Sequence, residues 1–397
     1  MITQVILENF KSASKQSIDL APITVIIGPN RSGKSSILQA LGVLKGFVEN
    51  ASRPIDQLFN LHSIDLGSYK NVVHKHKDEL TMEIGVKISD ENVDLQFSLQ
   101  LGPKSATLIR WEKPFRVEAH TPITLPWSPK PERTQFMYGN KKLTFVWDGL
   151  NTVIEPADPK LTDFINIHKT EIQKMNILFS NRGFLKPVYQ RQEAQLPSTL
   201  SLTQDRIASL LDDVDFETTV MTWTEDVFGV RVEAKTVPPN IKLITRLRHF
   251  APNIVNEGFG LNQATYMFAV LAAAKEGALI GIEEPEISLH PQAQTRLARI
   301  FQEVIKTMNK RVLITTHSEH LLIGLLTLVA NGELKPDQLG IWSMERKGYT
   351  SKAKKLKVNE KGQVEGGIPN FFEHELSTSL EYIKALARGS SDESPSR

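Results

Sequence analysis

Eight residues, Gly28-Pro29-Asn30-Arg31-Ser32-Gly33-Lys34-Ser35, constrain the fold of this chain more than any other feature, because of what stands on either side of them. Ile23 to Ile27 is a short apolar run of the kind found in a strand buried on both faces. Ile37, Leu38, Leu41, Leu44 and Val48 then recur at helical spacing. The segment reads as strand, glycine-bounded loop and helix, and the loop has the spacing GxxxxGK[ST]. Glycines at these positions let the backbone wrap phosphates, so that successive N–H groups and the helix N-terminus face negative charge. Lys34 is then placed to reach β- and γ-phosphates, and the Ser35 hydroxyl to ligate Mg²⁺. The pattern predicts ATP and Mg²⁺ as ligands, held by Gly28, Pro29, Asn30, Arg31, Ser32, Gly33, Lys34, Ser35 and Ser36. A glycine turn with a chance lysine is the bland alternative, and both flanking elements argue against it.

Ala278-Leu279-Ile280-Gly281-Ile282-Glu283-Glu284-Pro285 is an apolar strand that ends in two carboxylates. Acids at the end of a buried strand are costly unless a cation or a proton transfer uses them. Beside a phosphate loop, Glu283 is expected near Mg²⁺ and Glu284 near the γ-phosphate, as the base that orients the attacking water. A solvated turn without a catalytic role is the alternative. Arg311 to Thr315 is a further apolar strand, ending in Thr316-His317-Ser318. An imidazole there can hydrogen-bond a γ-phosphate oxygen. Taken alone, His317 reads more readily as a capping histidine; its place after a second sheet strand reverses that preference. Finally, Asn256-Glu257-Gly258-Phe259-Gly260-Leu261-Asn262-Gln263 is a glycine turn opening the helix that leads into the acidic strand. A bare helix N-terminus is an anion site. The phosphate loop already supplies one, so Gly258, Phe259 and Gly260 are expected to serve a second copy of the chain, against the plainer reading of an ordinary N-cap. Lys34, Glu284 and His317 are thus the candidate catalytic residues, and Ser35 and Glu283 the candidate metal ligands.

The rest of the chain supplies the frame. At 397 residues it exceeds one domain of roughly 150 residues, and its 40% hydrophobic and 23% charged content excludes a mainly disordered or collagen-like protein. Zero cysteines exclude disulfides, thiolate nucleophiles and cysteine zinc sites. Leu80 to Ile88 and Val93 to Leu101 alternate with period two and predict a hairpin; a second is expected around Gly139-Asn140. The proline-rich stretch from Pro114 to Pro131 reads as an exposed loop, since proline cannot donate to a central ladder. From about 159 to 228 the pattern turns helical, and the last third alternates helix and strand, which implies a largely parallel sheet. No apolar run reaches the roughly 18 residues of a membrane span, and no secretion signal opens the chain, so a soluble cytoplasmic protein is expected.

Phosphate loop, glycine turn, Glu-Glu-Pro and strand-end histidine occur in the order in which the ABC-type ATPase superfamily carries its Walker A, signature, Walker B and switch-histidine elements. More narrowly, Leu7-Glu8-Asn9-Phe10-Lys11-Ser12, Ile282-Glu283-Glu284-Pro285-Glu286-Ile287-Ser288-Leu289-His290-Pro291 and Thr315-Thr316-His317-Ser318-Glu319-His320-Leu321-Leu322 resemble the OLD (overcoming lysogenization defect) group, relatives of SMC and RecF-like DNA-repair heads. Gly362, Gly366-Gly367-Ile368-Pro369 and Phe371-Phe372 resemble the end of its stand-alone members. The resemblance covers about 1–75 and 240–385. It implies an α/β fold, an ABC-ATPase-like P-loop head with a mostly parallel sheet, an antiparallel β subdomain and an inserted helical lobe. The expected division is 1–150 and 240–387 for the head, 151–239 for the lobe and 388–397 for a disordered tail. It further implies that Mg-ATP closes two heads head to tail into a homodimer, with Gly258 to Gly260 acting in trans. Two departures stand out: Glu283 replaces the usual Walker B aspartate, and the turn reads Gly-Phe-Gly-Leu-Asn-Gln in place of Leu-Ser-Gly-Gly-Gln. Gln57 is the candidate for the Q-loop glutamine.

After Thr315 too few residues remain for the Toprim nuclease domain of OLD nucleases. A cleavage function would therefore need a separate nuclease or effector protein, as in Septu-like antiviral pairs. The net charge of +2 means that any DNA contact must be local. Arg346, Lys347, Lys352, Lys354, Lys355, Lys357 and Lys361, and Arg182, Lys186 and Arg191, are the clusters that would touch a phosphate backbone, unless they are simply solvated faces. His74 and His76 lack the carboxylate spacing of a metal site. The implied function is an ATP-hydrolysing dimeric switch in antiviral defence or DNA repair. Its rival is a non-catalytic scaffold that uses ATP only to assemble a partner effector.

Overall fold

The computed structural model describes residues 1–128, 131–197, 200–247 and 250–367. The chain begins with an antiparallel pair, β1 (Ile2–Phe10) and β2 (Ala13–Asp19), and continues into β3 (Ile23–Ile27), the phosphate loop and helix α1 (Lys34–Glu49). A short helix α2 (Tyr69–Val72) precedes a meander, β4 (Met82–Ser89), β5 (Asp94–Leu101), β6 (Ala106–Lys113) and β7 (Val117–Pro122). A separate three-stranded sheet follows, β8 (Glu132–Tyr138), β9 (Lys141–Trp147) and β10 (Thr152–Glu155), its first turn at Gly139-Asn140 as expected.

Next come α3 (Pro159–Ile165), α4 (Ile167–Lys174), β11 (Asn176–Leu178), β12 (Tyr189–Gln190), α5 (Gln204–Leu210), α6 (Val214–Phe228) and the hairpin β13 (Arg231–Val237) and β14 (Asn240–Arg246). The last third holds α7 (Phe259–Ala273), β15 (Leu279–Glu283), α8 (Pro291–Thr307), β16 (Arg311–Thr315), α9 (Glu319–Ala330), β17 (Leu339–Lys347) and β18 (Thr350–Leu356).

Twelve strands form one sheet in the order β11-β15-β16-β3-β17-β18-β2-β1-β4-β5-β6-β7. From β11 to β17 every neighbour is parallel; from β2 to β7 every neighbour is antiparallel. The fold is therefore α/β, and the antiparallel part continues the parallel sheet. In the parallel half, alternate residues serve two cores. Ile23, Val25, Ile27, Ile280, Ile282, Val312 and Ile314 pack towards α7, α8 and α9, whereas Ile26, Leu279 and Leu313 pack with α1. Gly281 leaves room for Leu38 of α1, because a Cβ there would stand 2.7 Å from its methyl group.

Two stretches differ from the sequence expectation. The proline-rich run is not all loop, since Val117–Pro122 pairs with β6 as the edge strand of the sheet. An edge strand needs hydrogen bonds on one side only, and Pro122 stands at its last position, so proline is tolerated. The stretch 151–239 carries helices α3 to α6 together with β10 to β13; β11 is a member of the main sheet, and the β13–β14 hairpin runs across residue 239. Short or half-exposed strands leave little periodic signal. The tail 388–397, and Ile368, Pro369, Phe371 and Phe372, lie outside the described residues.

Candidate nucleotide site

Parallel pairing brings distant segments to one sheet edge. Glu283 pairs with Thr315 and Thr315 with Ile26, so β15, β16 and β3 end side by side. The Glu284 N–H donates to Thr315 O at 2.8 Å and the Thr316 N–H to Ile26 O at 3.0 Å, which ties the turns to one another.

The phosphate loop is held by its glycines. Gly28 has φ 148° and approaches the backbone so closely that a Cβ would lie 2.4 Å from Met344 O; Gly33, with φ 98°, caps α1. Lys34 is buried, and its Nζ donates to the carbonyls of Gly28 at 2.9 Å and Pro29 at 3.0 Å, curling over the loop. Burial lowers its pKa to about 8, against the opposing pull of Glu284, Glu286 and Glu283. Asn30, Arg31, Gly33, Lys34, Ser35 and Ser36 line a cleft of about 410 Å³ together with Glu284 and His317.

The two acids of the turn have different surroundings. Glu283 is buried, and its Oε2 accepts the Ser180 N–H at 3.1 Å. Glu284 has φ 44°, a left-handed conformation unfavourable for a residue with a Cβ, and its side chain reaches the cleft. Burial, and then repulsion from Glu286 and Glu283, raises its pKa above the usual carboxylate range. His317 Nε2 stands 3.6 Å from Glu284 Oε1. That is too long for a hydrogen bond. Burial and the Lys34 charge also hold His317 below its ordinary pKa, which favours the neutral imidazole over an ion pair. The His317 N–H donates to Glu286 Oε1 at 2.8 Å.

A magnesium nucleotide fits these residues. Ser32 Oγ in the loop and Thr315 Oγ1 at the strand end are buried without a hydrogen-bond partner among the described residues. A serine hydroxyl and a hard carboxylate are the donor types Mg²⁺ accepts, with the remaining positions left to phosphate and water.

Gly258, Phe259 and Gly260 are not in this cleft. They open α7, where Phe259 is 51% exposed and Gly260 packs so closely on Ser288 that a Cβ would lie 2.4 Å from its carbonyl oxygen. Gln57 is exposed and also outside it. His74 and His76 use ring nitrogens on different carbonyls, Lys11 O at 2.8 Å and Lys70 O at 2.9 Å.

Several residues that meet at the site were not singled out for it by the sequence. Lys11, Asn71, His76 and Tyr349 help to wall the cleft. Arg346, expected in a basic patch, also lines it and donates to Arg31 O at 3.2 Å. Arg182, grouped with Lys186 and Arg191 as a phosphate-backbone contact, is buried against the acidic turn; Lys186 pairs with Asp205 at 3.0 Å and Arg191 with Asp212 at 2.8 Å. The one available signal was Arg182 itself, an arginine four residues beyond the apolar pair Ile177-Leu178.

A glycine loop wrapped this closely, set beside strand-end acids on neighbouring parallel strands, defines a P-loop nucleotide-binding head. Residues 1–229 and 252–322 match the AAA ATPase domain model, and the chain belongs to that family. The chain is 22% identical to Endonuclease GajA of Bacillus cereus (strain HuB5-5) over 370 residues, 78% of this chain and 54% of that protein, so it spans about half the length of this curated relative. Among solved structures, the SmcHead bound to the C-winged helix domain of ScpA superposes over 90% of this chain and 98% of that one, with a TM-score of 0.55 and 12% identity. The Smc head domain with an extended coiled coil bound to the C-terminal domain of ScpA, from Pyrococcus furiosus, covers 97% and 99%, with a TM-score of 0.50 and 11% identity. These likenesses show the fold of an SMC-type ATPase head. No helix among the described residues is long and apolar enough to cross a membrane.

Proposed function

We propose that this chain is an OLD-like ATPase of the cytoplasm that binds Mg-ATP, hydrolyses it and acts as a dimeric nucleotide switch in antiviral defence or DNA repair, controlling a separate nuclease or effector protein. The observation that carries this reading is the meeting of Lys34, Glu284 and His317 in one cleft. On binding, Lys34 exchanges its two loop carbonyls for phosphate oxygens, and the loop N–H groups and the start of α1 hold the rest of the negative charge. Glu284, its pKa raised by burial, takes the proton of the attacking water. Neutral His317 donates to the γ-phosphate and so registers its presence. Ser35 and Glu283 would hold Mg²⁺, which when bound neutralises charge developing on the phosphates.

The position of Gly258 to Gly260 outside their own chain's cleft supports a composite site, in which the uncapped N-terminus of α7 meets the nucleotide of a second copy. A relative named an endonuclease and heads crystallised with ScpA domains support an effector partner and a DNA-related role. The exposed lysines Lys347, Lys352, Lys354, Lys357 and Lys361, on β17 and on and after β18, are the remaining candidates for DNA contact. The test is the solution mass of the Glu284→Gln variant with and without Mg-ATP. Doubling of mass on adding ATP supports the switch; a mass independent of ATP defeats it.

A further inference from the structure

The loop between β11 and β12 carries a buried cation that faces main chain. Arg182 is 8% exposed. Its Nη1 donates to Glu283 O at 2.7 Å and Phe179 O at 3.0 Å, and its Nη2 to Glu284 O at 2.9 Å. Burying a guanidinium is costly, and an apolar side chain of similar volume would fill the space without that cost. What the guanidinium adds is a planar fork that grips two successive carbonyls of one turn. That turn contains Glu284 in its left-handed conformation.

The fork is itself anchored. Asn262 Oδ1 accepts the Phe184 N–H at 2.6 Å, and Asn262 Nδ2 donates to Phe184 O at 2.8 Å. Gln263 Nε2 donates to Ser180 O at 3.3 Å, and the Ser180 N–H holds the Glu283 carboxylate. Residues 180 to 184 are thus fastened to α7 at both ends, with Arg182 between them aimed at the acidic turn.

We propose that Arg182 is a positioning residue for hydrolysis: by gripping the carbonyls of Glu283 and Glu284 it keeps Glu284 in the backbone conformation that turns its carboxylate into the Lys34 cleft. Arg182 does not line that cleft. It acts through the turn that carries Glu284. The inference rests on the ATPase reading above, since it assigns Arg182 a part in that reaction.

The test uses the full chain with Arg182→Gln and Arg182→Lys, alone and combined with Glu284→Gln. Arg182→Gln is expected to lower ATP turnover by about 100-fold, as misplacing a reacting group by an ångström does, while ATP affinity stays near parental and the thermal midpoint falls by only a few degrees, because buried carbonyls lose a donor. Arg182→Lys, which keeps the charge but not the fork, falls between. In the Glu284→Gln background Arg182→Gln adds no further loss, because both changes remove the same function. Hydrogen exchange gives a readout independent of turnover. The Glu284 and Ile287 amides should exchange faster in Arg182→Gln, with no change in β8 and β9.

Parental turnover in Arg182→Gln overturns the proposal. So do losses that multiply with Glu284→Gln, unchanged exchange at the turn, or a fall in fold and ATP affinity shared by both Arg182 variants, which would make Arg182 a structural residue only. Lys34→Ala separates the two claims. If Lys34→Ala turns over ATP at the parental rate, the ATPase reading fails whatever Arg182 does. If it is inactive while Arg182→Gln is not, only the Arg182 proposal fails.

Discussion

The two halves of the twelve-stranded sheet differ in how their strands are connected and in what meets at their ends. In the parallel half, β3, β15 and β16 are brought together from distant parts of the chain, and their C-terminal ends place Lys34, Glu284 and His317 around one cleft. In the antiparallel half, β4 to β7 run on through short connections, and the core beneath them is aromatic: Phe97, Phe145 and Trp147 pack with ring centroids 6.2 to 6.3 Å apart. Parallel strands must end on the same side, so their loops pool side chains that no local sequence could bring together. Antiparallel strands spend their ends on turns. The parallel half therefore gathers the candidate site, to which the antiparallel half adds Lys11 from the β1–β2 turn.

That contrast can be broken from either side. The largest effect on stability is expected in the core beneath the antiparallel half, where Trp147→Ala, on β9 of the separate three-stranded sheet, removes a fully buried ring packed on Phe97 and should cost about 3–5 kcal/mol in urea unfolding. ATP affinity of the folded molecule should stay parental, and a matching loss of affinity would show that the halves are not separate in function. In the parallel half the expectation is reversed. Gly28→Ala places a Cβ 2.4 Å from Met344 O at a φ that favours glycine, and should weaken ATP binding by about tenfold or more while costing about 1–3 kcal/mol of stability.

The smallest effect sharpens the electrostatic part. Lys34 is held near a pKa of about 8 by burial, so the free protein loses this charge as pH rises through that value. Phosphates bind the protonated form. ATP affinity measured calorimetrically should therefore fall by about eightfold between about pH 7.5 and 9, and Lys34→Arg, whose guanidinium stays charged, should abolish that slope. A flat profile in the parental chain would remove Lys34 from phosphate binding.

The same contrast explains how much was legible in the sequence. The loop from Gly28 to Ser35, the acidic strand end and the histidine after β16 are each written in a few consecutive residues, with a strand on one side and a turn or helix on the other. The cradle around them was not. Lys11 comes from the β1–β2 turn, Tyr349 from the β17–β18 hairpin and Asn71 from a four-residue helix, and nothing local marks these as neighbours. β11 is three residues long, too short for any period to show, so the sheet edge beside Glu283 was hidden inside a stretch that read as helical. Arg182 was misread for a related reason. A lone arginine near other basic residues looks like surface charge until the fold places it under the acidic turn.

Whether Lys34, Glu284 and His317 form one ATP-hydrolysing site is decided by ATP binding and turnover in the Glu284→Gln variant. The amide keeps the shape of the carboxylate and loses the base. Affinity should remain parental while turnover falls by about 100- to 10,000-fold. Turnover at the parental rate, with binding intact, would contradict the claim.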